Sequence, residues 1–213
     1  MARAFVASSS QHLISTTVVD YSGVSIWFNV SDLSVDRPIF SVYQNAASAE
    51  RHTLYVETTG KLCGFSSHGA LNTTVKTTNT VNVNEWHHAW MDAVSTLRVI
   101  LDGGTAATGT LQSPSGLNRT ALARQFGLGS PNYFEGRLCE FACYSDELGA
   151  YSNNIPGQLA KGISPLKVYP SLLNLYMPLI HDDRDVIAKT AFTAVNSPTF
   201  ADHARIWYPG KVA

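Results

Sequence analysis

This sequence predicts an all-β fold: a sandwich of antiparallel strands, with a short helix and an irregular C-terminal tail. Three observations lead there. Apolar residues recur with period two: Val24, Ile26, Phe28 and Val30 alternate with Ser25, Trp27 and Asn29, and Leu97, Val99 and Leu101 alternate with Arg98, Ile100 and Asp102, as in strands with one buried face. The runs are short and end at turn residues. Asp102-Gly103-Gly104 is the clearest of these, since Asp and Gly tolerate the positive φ of a tight hairpin. At 213 residues and 45% hydrophobic, the chain can bury a substantial core within one all-β domain.

Residues 24–30 read as a long core strand. Segments 39–43, 53–57 and 62–65 are further short strands, and Thr59-Gly60 makes a hairpin turn between the last two. Residues 72–84, dense in Thr, Asn and Val, suit strands with one wet face. Trp86-His87-His88-Ala89-Trp90 opens a strand, residues 97–101 form the next, and a return strand through 105–111 follows the Asp-Gly turn. The last strong strand signature spans 134–141. A short helix is expected around 146–151 or 155–162, where Pro156 limits its continuation. Further on, Tyr176-Met177-Pro178-Leu179 reads as a strand returning to the sandwich, Asp182, Asp183 and Asp185 as a solvated acidic loop, and 193–200 as another β segment. Residues 200–210 show little regular pattern, so the expected division is a sandwich over 1–200 and a tail over 201–213.

With 15 Lys+Arg against 16 Asp+Glu the net charge is -1, too balanced for a broad field that would draw the protein to nucleic acid or to an anionic membrane. No apolar run reaches bilayer-spanning length, and Met1-Ala2-Arg3-Ala4-Phe5 leads into strand-like sequence, not a secretory signal. The chain is therefore expected to be made in the cytoplasm without a signal peptide. Cys63, Cys139 and Cys143 are an odd set. On a regular strand Cys139 and Cys143 would share a side about 13 Å apart, too far for a disulfide, so reduced thiols are expected. No second cysteine pair closes a tetrahedral metal site.

The residues argue against catalysis. Glu135 and Glu140 are an odd number apart and would face opposite sides of a regular strand, and no nucleophile-elbow pattern accompanies any Ser or Cys. His87 and His88 point to opposite faces for the same reason and cannot share an ion without a bulge; one is expected to pack inside and the other to meet solvent.

Taken together, the Trp-His-His strand, the strand-Asp-Gly hairpin and the run Phe134-x-Gly136-x-Leu138-x-Glu140-Phe141-x-x-Tyr144 resemble the laminin-G-like branch of the concanavalin A-like lectin/glucanase superfamily. The resemblance covers roughly residues 3–165, with 5–14 similar to that branch's opening strand pair, and implies a two-sheet antiparallel jelly-roll sandwich, a fold that carries unrelated functions. The Glu-x-Asp-x-x-Glu arrangement of the glucanase branch is absent, which with the preceding arguments implies a non-enzymatic protein. Several laminin-G-like domains hold calcium at the sandwich rim, for which Asp92 or Asp102 could serve here. No dense oxygen-ligand loop is present, so Asp102 is read as a turn residue and no cofactor is expected.

Tyr176-x-Pro178-Leu179 and Ala201-Asp202-His203 in context resemble the end of small laminin-G-like proteins encoded by tailed phages and prophages. This resemblance implies a virion protein, either capsid decoration or a tail or fibre component. It would pack against other virion proteins, such as the major capsid protein or a tail protein, and form a homo-oligomer, with Ile206, Trp207 and Tyr208 as the interface cluster. The alternative is a carbohydrate-binding module contacting a host-surface glycan. Tyr133, Phe134, Tyr144, Tyr151, Trp207 and Tyr208 are available aromatics for that role, but the sequence does not show which are exposed.

Overall fold

Val24, Ile26, Phe28 and Val30 do line one face of a strand, Gly23–Val30, and all are fully buried. The computed structural model describes residues 1–45, 47–125, 132–145, 154–180, 184–187 and 189–207. Strands are numbered in chain order: β1 (Ala2–Phe5), β2 (His12–Ser15), β3 (Gly23–Val30), β4 (Arg37–Gln44), β5 (Ala47–Val56), β6 (Lys61–His68), β7 (Leu71–Thr80) and β8 (His87–Ala93). There follow β9 (Thr96–Leu101), β10 (Ala107–Thr110), β11 (Arg119–Leu122), β12 (Gly136–Tyr144), β13 (Leu173–Met177), β14 (Thr193–Val195) and β15 (Thr199–Ala201). Among the described residues an 8-stranded sheet runs β10-β9-β8-β3-β12-β1-β15, with β13 also on β12, and a 7-stranded sheet runs β14-β2-β11-β4-β5-β6-β7. All strand pairings are antiparallel, and the main core lies between the sheets, where Phe40 and Phe141 meet at 5.6 Å between centroids.

The expected hairpin is present. Asp102 (φ 51) and Gly103 (φ 67) are both left-handed, the backbone of a two-residue turn whose twist matches its strands. The Asp102 carboxylate accepts the His88 backbone N–H at 2.7 Å and the His87 Nδ1–H at 2.7 Å, tying the turn to β8.

Four expectations need correction. Alternation in β9 implies a wet outer face, yet Ile100 is 5% exposed. The outer face of the first sheet carries Trp90, Ile100, Tyr144 and Tyr176, and these pack under Ile155, Leu159, Val168 and Leu172 in a second core. The cover is α1 (Asn154–Leu159), the one α-helix among the described residues, followed by 3-10 turns at Pro165–Lys167 and Pro170–Leu172. Pro156 falls in the first turn of α1, where a missing N–H is tolerated; the other expected helix site, 146–151, lies outside the described residues.

The histidines are corrected for the same reason. They do point to opposite faces, but both faces are covered, so His87 (7% exposed) and His88 (0%) are both buried. His88 Nε2 bonds the Ser25 hydroxyl at 2.9 Å while Nδ1 has no partner, and burial lowers its pKa to about 4.

Cys139 and Cys143 do not share a side. The register of β12 shifts between Cys139 and Ala142, with Glu140 at φ 56, a bulge that resets the alternation. Cys143 therefore enters the main core, whereas Cys139 packs outside against Ala2 and Ala204. All three thiols are unbridged and buried; burial raises the Cys63 pKa to about 12 and raises Cys139 and Cys143 well above the usual thiol range. Reductant should accordingly leave the thermal midpoint unchanged within about a degree, whereas breaking a structural disulfide would cost about 2–5 kcal/mol. A large drop in a melting scan would refute the free-thiol assignment.

Asp185 is no solvated loop residue either. It is buried, and its carboxylate accepts the backbone N–H groups of Tyr176 (2.9 Å) and Ile187 (2.8 Å); Asp182 and Asp183 lie outside the described residues. The strand pair expected at 5–14 divides between the two sheets, β1 in one and β2 in the other, and the single β segment read at 193–200 is two strands, β14 beside β2 and β15 beside β1.

Candidate functional site

The sequence-predicted residues are dispersed. Ile206 is half-buried against the small cluster of Ala2, Cys139 and Ala204. Trp207 is 77% exposed, though its backbone is held by bonds from its N–H to Gly162 O (2.6 Å) and from the Ser164 N–H to its own carbonyl (3.2 Å). Tyr208 and Tyr151 lie outside the described residues. Phe134 and Tyr144 are fully buried and Tyr133 is half-buried.

The carboxylates weighed earlier are engaged in the fold. Glu140 accepts from the Tyr176 hydroxyl at 2.7 Å and bonds His203 Nε2 at 3.0 Å, and Glu135 accepts the Ala7 N–H at 2.6 Å. Asp92 accepts from Trp90 Nε1 (2.7 Å) and Arg98 Nε (2.7 Å). Asp92 pairs opposite Arg98 near one end of β8, while Asp102 lies beyond Leu101 at the other. Both carboxylates, either of which could have served calcium, accept from donors of the fold. No group of three or more His, Cys, Asp or Glu residues suited to a metal occurs among the described residues.

What remains is the outer face of the second sheet. In β5 and β6 the residues Leu54, Val56 and Leu62 point to the core, so Arg51, Thr53, Tyr55, Cys63 and Phe65 point away. Gly64 lets the sheets close here, since a Cβ on it would stand 2.6 Å from Val99 Cγ1. Register sets Arg119, Tyr43, Arg51, Ser67 and Asn72 in one row across β11, β4, β5, β6 and β7. The neighbouring row is Ala121, Ser41, Thr53, Phe65 and Thr74. The Arg51 guanidinium lies over the Phe65 ring at 4.6 Å, and both are half-buried, as is Tyr55. Lys76 pairs with Glu57 at the β7 side. Sequence reasoning missed this face, although counting back from the Thr59-Gly60 turn would have set Tyr55 opposite Cys63 and Thr53 opposite Phe65.

A second concavity, a cleft of ≈ 350 Å³, opens at the rim between Val18–Tyr21, the β8–β9 hairpin at Val94 and the β10–β11 loop. His52 holds its floor, bonding the Tyr21 hydroxyl at 2.5 Å and Gln112 O at 3.2 Å. Glu50 holds the loop: its carboxylate accepts from His68 Nδ1 (2.8 Å), the Ser115 N–H (2.7 Å) and the Gly69 N–H (2.9 Å). The His68 bond, then those N–H groups, depress its pKa to about 2. Because the folded-state value is depressed, its stabilisation is present above the ordinary carboxylate pKa and is lost as pH falls toward about 2. Glu50→Gln should therefore melt below wild type at neutral pH, with the gap closing as the buffer is taken from about pH 5 to pH 2; a gap independent of pH would refute the anchoring role.

A family model described as concanavalin A-like lectin/glucanases superfamily matches residues 4–151, more than half of the chain. The chain belongs to that superfamily. A search of the curated proteins by sequence found no match. Solved structures similar to this member include a Bacteroides ovatus protein named as a proposed carbohydrate-binding protein (18% identity, TM-score 0.59, covering 94% of this chain and 61% of that one). Another is a heptameric SAP-like pentraxin from Limulus polyphemus (13%, 0.56, covering 89% and 87%). A third is the enzymatically active domain of tailspike protein 2 of bacteriophage CBA120 (10%, 0.55, covering 84% and 31%). At these identities the likeness is one of fold. No helix among the described residues is long and apolar enough to cross a membrane.

Proposed function

We propose that this superfamily member is a non-catalytic carbohydrate-binding module whose sugar lies on the outer face of the second sheet. The observation that carries this reading is the Phe65 ring, half-buried in an outward row and flanked by Arg51, Thr74, Asn72 and Tyr55. Aromatic faces bordered by a few fixed polar groups suit sugars, which present an apolar C–H face ringed by hydroxyls. The Bacteroides protein of like fold, named for carbohydrate binding, supports the same reading. Glycan-array binding followed by calorimetry tests it: Phe65→Ala should weaken a bound glycan about tenfold with little change in melting, in line with a truncated hot-spot contact. Failure to bind any glycan, or indifference to Phe65→Ala, overturns the reading.

A second reading rests on Trp207, whose side chain is 77% exposed from a backbone tied to Gly162 and Ser164. An exposed aromatic on a fixed backbone is suited to anchor an interface. In this reading Ile206, Trp207 and Tyr208 dock on a sister subunit or on a capsid or tail protein of a phage particle, and the phage tailspike domain of like fold supports the setting. Trp207→Ser should then leave a folded protein that no longer self-associates in sedimentation or joins particles, whereas unchanged assembly would refute the docking role.

A further inference from the structure

We propose that the rim cleft between the β2–β3, β8–β9 and β10–β11 connections binds an organic ammonium ion, its nitrogen at Asp20 and Tyr21 and its apolar body between Val18, Val94, Leu111 and Leu117. The site lies apart from the outer face of the second sheet and does not depend on the carbohydrate-binding reading. Its walls are held by bonds of their own. Thr120 Oγ1 accepts the Val19 N–H and donates to Thr17 O, both at 3.1 Å, while the Ser22 N–H donates to Tyr144 O (2.7 Å) and the Ala93 N–H to Ser22 O (3.0 Å). Across the cleft, Ser66 Oγ donates to Gln112 O at 2.8 Å and accepts the Gln112 N–H at 3.0 Å. A concavity fixed before its ligand arrives loses little ordering entropy on binding, and ≈ 350 Å³ falls in the range of small-molecule sites. Val18, Tyr21, Leu111 and Leu117 pack on the main core, and Val94 at the hairpin tip is 51% exposed.

The hydrogen-bond polarity of the floor is fixed as well. Gln112 O can only accept, so His52 Nε2 carries the ring proton and Nδ1 is left to accept from the Tyr21 hydroxyl. Burial lowers the His52 pKa, which keeps the ring neutral. With its proton committed to His52, the Tyr21 oxygen can only accept a further bond. Asp20 beside it is acceptor-only too: it is exposed between this cleft and a second one of ≈ 290 Å³ at Asn174 and Thr190, and its carboxylate has no hydrogen bond or ion pair among the described residues. No lysine or arginine lines either cleft. The Ser113 hydroxyl at the mouth can turn either way. One negative charge and one oxygen lone pair beside apolar walls complement a cation with N–H donors on an apolar stem, whereas an anion would be repelled by Asp20.

Calorimetry on the full chain compares 2-phenylethylamine with its neutral and anionic counterparts, 2-phenylethanol and 3-phenylpropionate, and with Nα-acetyl-lysine methylamide, which presents the same ammonium group as a protein's lysine. At least one of the two amines should bind about tenfold tighter than the alcohol and the acid, and lose most of that advantage between about 50 and 500 mM NaCl. The tighter of the two amines identifies the source as a free amine or a lysine side chain. Asp20→Asn, checked for an unchanged melting profile, should bring the amine down to the alcohol and leave the alcohol as it was. Val94→Ser, checked in the same way, should weaken amine and alcohol alike. Amines bound no tighter than the alcohol, or indifferent to either substitution, overturn the proposal while the carbohydrate-binding reading stands. Calcium chloride titrated alone should give no binding heat; calcium bound more tightly than the amines would make Asp20 a metal ligand and also overturn it.

Discussion

Gly136→Ala is expected to prevent stable folding. Gly136 has φ +139, and a Cβ built on it would stand 2.0 Å from the Asn29 carbonyl oxygen and 3.0 Å from Val30 Cα. These are backbone atoms of β3, held in register with β12 through Gly136↔Val30 and Arg137↔Asn29. No rotamer relieves a Cβ clash, so relief requires parting the two strands at the centre of the first sheet. The expected loss is about 4 kcal/mol or more, in the class reserved for strain at a special backbone position. Gly69→Ala is the control: Gly69 is also left-handed (φ +57) but has no atom within 4 Å of the added carbon, and it should cost only about 1 kcal/mol. Chemical denaturation of both variants decides the matter. A Gly136→Ala protein as stable as wild type would mean that β3 and β12 are paired differently.

Asp92→Ala should cost about 3–5 kcal/mol, the range for removing one partner of a buried ion pair. Asp92 is 6% exposed, and its Oδ2 accepts from both Trp90 and Arg98. The Arg98 side chain is itself only 12% exposed, so the alanine variant takes the carboxylate from a desolvated guanidinium and the acceptor from the Trp90 indole N–H together. Asp92→Asn keeps an acceptor and should lose less. Equal losses for the two variants, measured by urea titration, would show that charge contributes nothing to this contact.

The parts of the fold that were legible rest on local constraints. The alternation in β3 is a property of adjacent residues, and the left-handed backbone at Asp102-Gly103 is a steric permission carried by those residues themselves. The run from Phe134 to Tyr144 was readable as β12, and its Gly136 now has a reason: only a residue without a Cβ can approach Asn29 so closely. The bulge inside that same strand was not readable, because Glu140 takes φ 56 in company with Tyr176 and His203, which arrive 36 and 63 residues later. The candidate site was half legible. Phe65 and Tyr55 lay in segments read as strands, but which of their faces would stay accessible depended on the strands across the sheet.

The sequence alone determined that the chain is all-β, where its main strands and its tight turn fall, and that its thiols have no disulfide partner at a strand's spacing. Each of these follows from residues within a few positions of one another. Tertiary structure decided that the first sheet is covered on both sides, so that His87, His88 and Ile100 are all buried, and that Arg119, Tyr43 and Arg51 fall in one row across the second sheet. Those outcomes depend on register and on the path of residues 154–172 over a sheet built mostly from the preceding chain. A strand's own pattern says that it has two faces; only the segments that pack against it determine which of them meets water.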